Sequence, residues 1–433
     1  MNYNMNILVI GNGFDLTHGL PTKYTDFLLF CKVIIKIYTA GKEKDVEDSW
    51  WELKIVLNKN TRRLRKLFKK LYSTRKINKF RIVDAFTVNT NTIYDEFYDN
   101  IKYNIWIDYF LQNLQYIKEN WIDFESEISK LIQLLDNDMR SDLSGNCSIE
   151  NKIRNLSCDF LDRRYDNNHE NHFTISFKQI RDDLQRDLLK LIRALEIYLA
   201  NYVERIECNS ISPDIKNIKV NKVLSFNYTS TYEKIYGNSG IEFDYIHGKS
   251  NIKNTIQKNN MVLGIDEYLS LDRRNVDLEF IAFKKFYQRI HKQTGCKYKE
   301  WVDEIKQDYF DYLQRQEVAR QREQRYIPES MQRMMNELSA SVMKEEKYSL
   351  HNLYIFGHSL DITDKDILRD LILNDNVYTT IYYLNKDVMG QQIANLVKVI
   401  GQDELIKRTG GNTKTIEFKQ QQDMVKNHEG KLH

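Results

Sequence analysis

The sequence predicts an α/β fold, a mostly parallel, doubly wound sheet interrupted by large helical insertions. Three observations carry this expectation. The run "NILVI" at residues 6–10 is apolar at nearly every position and stops at Gly11, the pattern of a strand buried on both faces. Short apolar runs separated by loops return after Pro213. Between them the apolar residues recur every three or four positions, as on one face of a helix.

In chain order, "NILVI" predicts the first strand, with a helix or tight turn after Gly11. From about residue 26 to about 210 helical spacing dominates. Trp50, Leu53, Leu57, Leu64, Leu67, Phe68 and Leu71 form one apolar set, and Ile180, Leu184, Leu188, Leu191, Leu195 and Tyr202 form another. The polar, turn-rich stretch at residues 136–159 between them predicts a loop. "KVLSF" before Asn227, "EFDYI" before His247, "MVLGI" at residues 261–265, "LYIF" before Gly357 and "TTIYYL" before Asn385 then read as parallel strands. Residues 273–347 return to charged, Gln-rich helix, broken at Pro328. The expected organisation is a Rossmann-like nucleotide-binding core from residues 1–30, 214–272 and 348–405. Helical insertions occupy residues 31–213 and 273–347, and a mobile tail covers residues 406–433.

The 433 residues include only 3 prolines and 16 glycines, which fits a helix-rich chain. Lys plus Arg total 64 against 61 Asp plus Glu, so the net charge of +3 gives no general attraction for nucleic acid or membrane. Cys31, Cys147, Cys158, Cys208 and Cys296 are dispersed, which predicts neither a disulfide framework nor a zinc ribbon, and no metal site is expected. The N-terminus lacks a secretory pattern and no run of eighteen apolar residues occurs, so the expected location is the cytoplasm, without membrane contact.

The chemistry is expected at the strand ends. Gly11-Asn12-Gly13 follows the first strand, where missing Cβ atoms let backbone amides approach a phosphate. The dehydrogenase fingerprint is incomplete, because Leu16 replaces its third glycine and "CKVIIKIYTAG" supplies no ribose-binding acid. No G-x-x-x-x-G-K loop is present either. In open α/β sheets ligands lie beyond the carboxyl ends of the strands, and here those ends offer Asn227, His247, Gly357-His358-Ser359 and Asn385. Taken singly each has a plain structural role, such as a turn or helix cap; together they point to a nucleotide site.

The stretches "LVIGNGFDLTHGLPTKYTDFL", "NWIDFESEI", "LSFNYTSTYE", "YIHG" and "YIFGHSLDITDKDI" resemble the AbiH family of bacterial proteins that abort bacteriophage infection. More distantly, their order is similar to sirtuin-like NAD-consuming domains. That resemblance implies that Gly11, Asn12, Gly13 and Phe14, with Pro21 of Gly19-Leu20-Pro21, hold a dinucleotide. It implies further that Asn227 holds the ribose or a water, that His247 acts as a general base titrating near neutrality, and that Gly357, Ser359 and Asn385 take the adenosine end. The implied activity is hydrolysis of NAD, as substrate, to nicotinamide and ADP-ribose. The lack of a zinc ribbon argues against protein deacetylation. Asp15 stands where the sirtuin-like pattern has serine, and Thr229 where it has aspartate. Asp15 is therefore also a candidate catalytic acid or metal ligand, with His18 as its partner.

A second class of function stays open. Residues 59–83 hold eleven Lys or Arg and no acid, with Leu64, Leu67, Phe68 and Leu71 on one helical face. Such a helix can bind nucleic acid, with the nucleotide site regulatory, or pack with a solvated face. Trp121 and Glu125 lie one helical turn apart, the first expected in the core and the second capping, pairing with a cation or reaching the site. A toxic activity needs restraint, which predicts a phage-derived trigger or homo-oligomer assembly.

Overall fold

The computed structural model describes residues 4–40, 48, 69, 93–113, 123–143, 152–153, 156–165, 175–326 and 350–426. Six strands form the central sheet: β1 (Asn6–Ile10), β2 (Lys222–Ser225), β3 (Glu242–Tyr245), β4 (His351–Phe356), β5 (Val377–Tyr383) and β6 (Ile416–Gln420). Their spatial order is β3-β2-β1-β4-β5-β6 and every neighbouring pair is parallel. This is the order of doubly wound dinucleotide-binding sheets, and its switch point falls between β1 and β4. The expected α/β fold with helical insertions is therefore observed.

The position of β1 follows from its composition. Ile7 and Val9 pack into one core with Leu224, Trp301, Leu353, Ile355, Leu368 and Ile381. Leu8 and Ile10 face the other side and join Phe14, Val223, Phe356 and Tyr382. A strand with no polar face can only sit mid-sheet with both faces covered. Val9 accordingly pairs with Leu224 on one side and Ile355 on the other.

The helices used below are α1 (Asn12–Thr17), α2 (Tyr24–Thr39), α3 (Ile93–Ile101), α4 (Ile105–Asn113), α5 (Phe124–Leu143), α6 (Phe177–Ile197), α7 (Lys285–Lys292), α8 (Tyr298–Tyr326), α9 (Lys365–Ile372), α10 (Lys386–Ile400) and α11 (Gln402–Thr409). The insertion helices α2 to α6 bury a separate, aromatic-rich core around Phe27, Phe30, Phe97, Trp106, Phe110, Phe124 and Tyr198. The stripe Ile180, Leu184, Leu188, Leu191 and Leu195 lies buried along α6 and reaches Tyr202 through a π turn at Tyr198–Tyr202. None of the described helices is long and apolar enough to cross a membrane.

Three expectations are corrected. "MVLGI" is no strand of the sheet; it runs extended beneath α7, and Ile265 makes one isolated bridge to Lys284. Its Met261, Val262, Leu263 and Ile265 are fully buried, so burial alone gave it a strand-like composition. The expected loop at residues 136–159 begins as helix, since α5 runs to Leu143. The expected tail at residues 406–433 contributes the end of α11 and the edge strand β6, and Val425–Lys426 pairs with Ser210–Ile211. Buried Ile416 fixes β6 to the sheet, while an edge strand needs few other apolar residues. The stripe from Trp50 to Leu71, the basic segment 59–83, Trp121 and Pro328 lie outside the described residues, apart from the single position Lys69.

Candidate active site

At the switch point the glycines of the N-terminal turn meet those after β4. A Cβ on Gly11 or Gly13 would lie 2.8 Å from the Gly357 carbonyl oxygen, and one on Gly357, whose φ is 68°, would lie 2.1 Å from the Phe14 nitrogen. Only glycine fits such contacts. The amides of Gly11, Gly13 and Phe14 already donate, to Phe356 O, Gly357 O and Gly11 O. This turn thus packs β1 against β4, and three of its amides are engaged within the protein. Asn12 Oδ1 accepts from Thr22 Oγ1 at 2.6 Å, and Pro21 O accepts from the Tyr198 hydroxyl at 2.8 Å, which ties the Gly-Leu-Pro turn to the π turn after α6.

Beside it, the carboxyl ends of β1, β2 and β3 bring Asp15, Asn227 and His247 to one rim. All three are buried, and Asp15 Oδ1, Asn227 Nδ2 and His247 Nδ1 make no well-formed hydrogen bond among the described residues, although the Asn227 carboxamide lies near enough to favour the ionised Asp15 carboxyl. Such groups are costly unless something satisfies them. Asp15 Oδ2 accepts from Thr229 Oγ1 at 2.6 Å, and Thr231 Oγ1 donates in turn to Thr229 Oγ1 at 3.0 Å. The two departures from the sirtuin-like pattern, Asp15 and Thr229, are therefore the two ends of one hydrogen bond. Burial pushes the Asp15 carboxyl up to about 6, against the hydroxyls of Thr229 and Thr231 that favour its charge. His18 does not join it. Its Nδ1 bonds Phe14 O at 2.7 Å and its Nε2 the Tyr236 hydroxyl at 2.9 Å, so the Asp15–His18 pair considered from sequence does not form.

His247 is held by its neighbours on the chain. Val262 N donates to His247 O at 2.8 Å, and Gly248, at φ 78°, lets the turn pass the Asn260 carbonyl. Its titration near neutrality is corrected. Burial, with the charges of Lys285 and Arg289 nearby, brings the imidazole down to about 3, outweighing Asp364. Burial thus favours the neutral imidazole.

The helical insertions close this rim with charges that sequence reasoning missed or left open. Glu125, at the start of α5, forms an ion pair with buried Lys285 of α7, so of its three sequence roles the cation partner is the observed one. Burial raises the Glu125 carboxyl to about 7, while the carboxylates of Glu125, Asp364 and Asp266 hold Lys285 firmly charged despite its burial. Asp364 works against burial too: His358 and Lys285 keep it well below the usual carboxylate range. Lys285 lies 160 positions from Glu125, and no short motif could have joined them. Asp364 was present only as an unremarked member of "SLDITDKDI".

The remaining expected residues sit at the outer ends of β4 and β5. Ser359 is exposed, and its carbonyl accepts from Asn395 Nδ2 at 2.9 Å. Asn385 is exposed and caps α10, its Oδ1 accepting from Val388 N at 2.9 Å. Neither touches the buried rim through those bonds. Gly357 acts in the packing contact already described.

No curated protein and no solved structure matches the chain. A family model described as "Bacteriophage abortive infection AbiH" matches residues 7–383, a span that contains the whole rim from Asp15 to Asp364. The chain therefore belongs to the AbiH family, and its function class is abortive infection against bacteriophage.

Proposed function

We propose that the chain aborts infection by hydrolysing NAD at its nicotinamide–ribose bond. One observation carries the reading: an acceptor, a donor and an imidazole nitrogen, on Asp15, Asn227 and His247, lie buried at the ends of three adjacent strands with no well-formed hydrogen bond among the described residues. Asp15 Oδ1 and Asn227 Nδ2 are complementary to a sugar diol, whose hydroxyls both donate and accept. A diphosphate beside the Asp15 carboxylate would instead meet like charge in a low-dielectric setting. The ribose thus belongs at Asp15 and Asn227, and the diphosphate further out.

Nicotinamide departs as a neutral amine, so its bond breaks without a general acid. The ribose left behind spreads positive charge toward C1′, which the ionised Asp15 carboxylate stabilises. Water then adds to C1′, and the proton it gives up in forming the ADP-ribose hydroxyl leaves to solvent. So electrophilic a carbon needs its water oriented more than deprotonated, a task that a neutral His247 Nδ1 performs. The exposed Ser359 and Asn385 lie toward the adenosine end. Loss of NAD halts the infected cell before phage matures, and the activity stays restrained until a phage-derived trigger or self-assembly releases it.

The test is nicotinamide release from NAD by the purified full-length chain, alone and with extract of infected cells. Release that disappears in Asp15→Ala supports the reading. Absence of release in every assembly state, with extract included, overturns it. Salt-dependent capture of RNA or DNA through residues 59–83 in its place would favour the nucleic-acid alternative.

A further inference from the structure

We infer that Asp364 is a positioning residue, which fixes the proton of His247 on Nε2 and leaves a bare Nδ1 facing the rim. Asp364 ends a single 3-10 turn, Ile362–Asp364, whose start is capped by Asp361 Oδ1 accepting from Thr363 N at 3.1 Å. Its two oxygens face two histidines from different strand ends. Oδ1 is 3.7 Å from His247 Nε2, and Oδ2 is 3.4 Å from His358 Nε2. The Phe226 ring separates the imidazoles, edge-on at 5.6 Å from His247 and 4.3 Å from His358.

The protons can be placed. His358 Nδ1 accepts from Leu360 N at 2.9 Å, so the His358 proton resides on Nε2 and points at Asp364 Oδ2. Leu360 is fully buried and adopts φ 59°, a left-handed conformation that is rare for leucine. Strain of this kind persists where the surroundings demand it, and here it delivers the amide that sets His358. With one oxygen engaged by His358, the other presents negative charge to His247 Nε2, which favours N–H there and a lone pair at Nδ1. Nδ1 is the atom left without a partner. Lys285 and Arg289 of α7, His358 and the Tyr228 ring also face His247; a cation disfavours a proton on the nitrogen nearer to it, and among these groups Asp364 is the carboxylate that draws the proton to Nε2.

This rests on the NAD reading only for its purpose, since an oriented water needs that lone pair. Its test does not depend on turnover. The full-length chain is labelled with 15N-histidine and two-bond 1H–15N spectra are recorded from pH 6 to 8, the His247 signals being identified by their loss in His247→Gln. The expected spectrum shows Nε2 protonated and Nδ1 bare across the range. Asp364→Asn should invert it: His358 keeps the amide oxygen, the amide NH2 then faces His247 Nε2, and the proton moves to Nδ1. The same variant should lower kcat for nicotinamide release by tenfold or more, with KM little changed. A wild-type His247 protonated at Nδ1, or a tautomer unmoved in a folded Asp364→Asn, overturns the assignment, and the wild-type spectrum decides if that variant fails to fold. A wild-type protein that releases no nicotinamide removes the NAD reading while the spectra still judge Asp364.

Discussion

The junction of β1 with β4 and the rim formed by β1, β2 and β3 adjoin at one end of one sheet, yet they solve opposite problems. At the junction, Gly11, Gly13 and Gly357 bring two backbones into contact, and the amides of Gly11, Gly13 and Phe14 bond within the protein. At the rim, Asp15, Asn227 and His247 are more deeply buried than Gly13 and Gly357, and each keeps a polar atom that makes no well-formed hydrogen bond among the described residues. A glycine-rich turn is thus ambiguous in sequence, because close approach to a phosphate and close approach to another backbone make the same demand. Unpaired buried polar atoms distinguish the two regions.

Substitution should separate them. The largest effect is expected from Gly357→Ala, which places a methyl group 2.1 Å from the Phe14 nitrogen at a left-handed φ. Destabilisation of about 4 kcal/mol, or failure to fold, should appear in chemical denaturation. Asp15→Asn should do the reverse to stability. Its carboxyl rises from 3.8 to about 6 on folding, so ionisation opposes the fold. Stability from this group is intact below pH 3.8, falls as pH rises from there to about 6, and stays reduced above it by about 3 kcal/mol. The variant should therefore melt higher than wild type at pH 8, equal it near pH 3.5, and lose nicotinamide release by roughly two orders of magnitude.

Asn227→Ala should lower turnover on the order of a hundredfold, with stability changed by less than about 1 kcal/mol. The reason is that the Ser225 hydroxyl bonds the backbone of residue 227 rather than its carboxamide. If instead stability collapses with activity, the rim is structural and the contrast fails. The smallest effect is expected from Asn385→Ala, which removes the α10 cap at a cost of about 1 kcal/mol in thermal unfolding. A rise in KM for NAD in that variant would extend the ligand across to β5.

The sequence made legible what local composition determines. "NILVI" could be nothing but a central strand, and Asn227 and His247 stood out as polar residues closing apolar runs. "MVLGI" misled because a fully buried loop under α7 needs the same residues as a buried strand. β6 was hidden for the opposite reason, since an edge strand of "IEFKQ" carries little apolar signal. The charges around the rim were the least legible. Glu125, Lys285 and Asp364 each lie in a different segment, and only the fold sets them side by side. Likewise Asp15 and Thr229 read as two unrelated departures until one hydrogen bond joined them.

β1, the earliest of the six strands of the sheet, lies inside it with neighbours on both sides. The Met5 amide bonds the ring of His351, 346 positions later, and both neighbours of β1 come from the second half of the chain. At about 5–20 residues per second, a ribosome leaves that strand without its β4 partner for roughly 20 seconds to a minute. Until then the switch point, which lies between these two strands, does not exist. The crevice is therefore a late product of synthesis, assembled only once β2 and β4 have emerged.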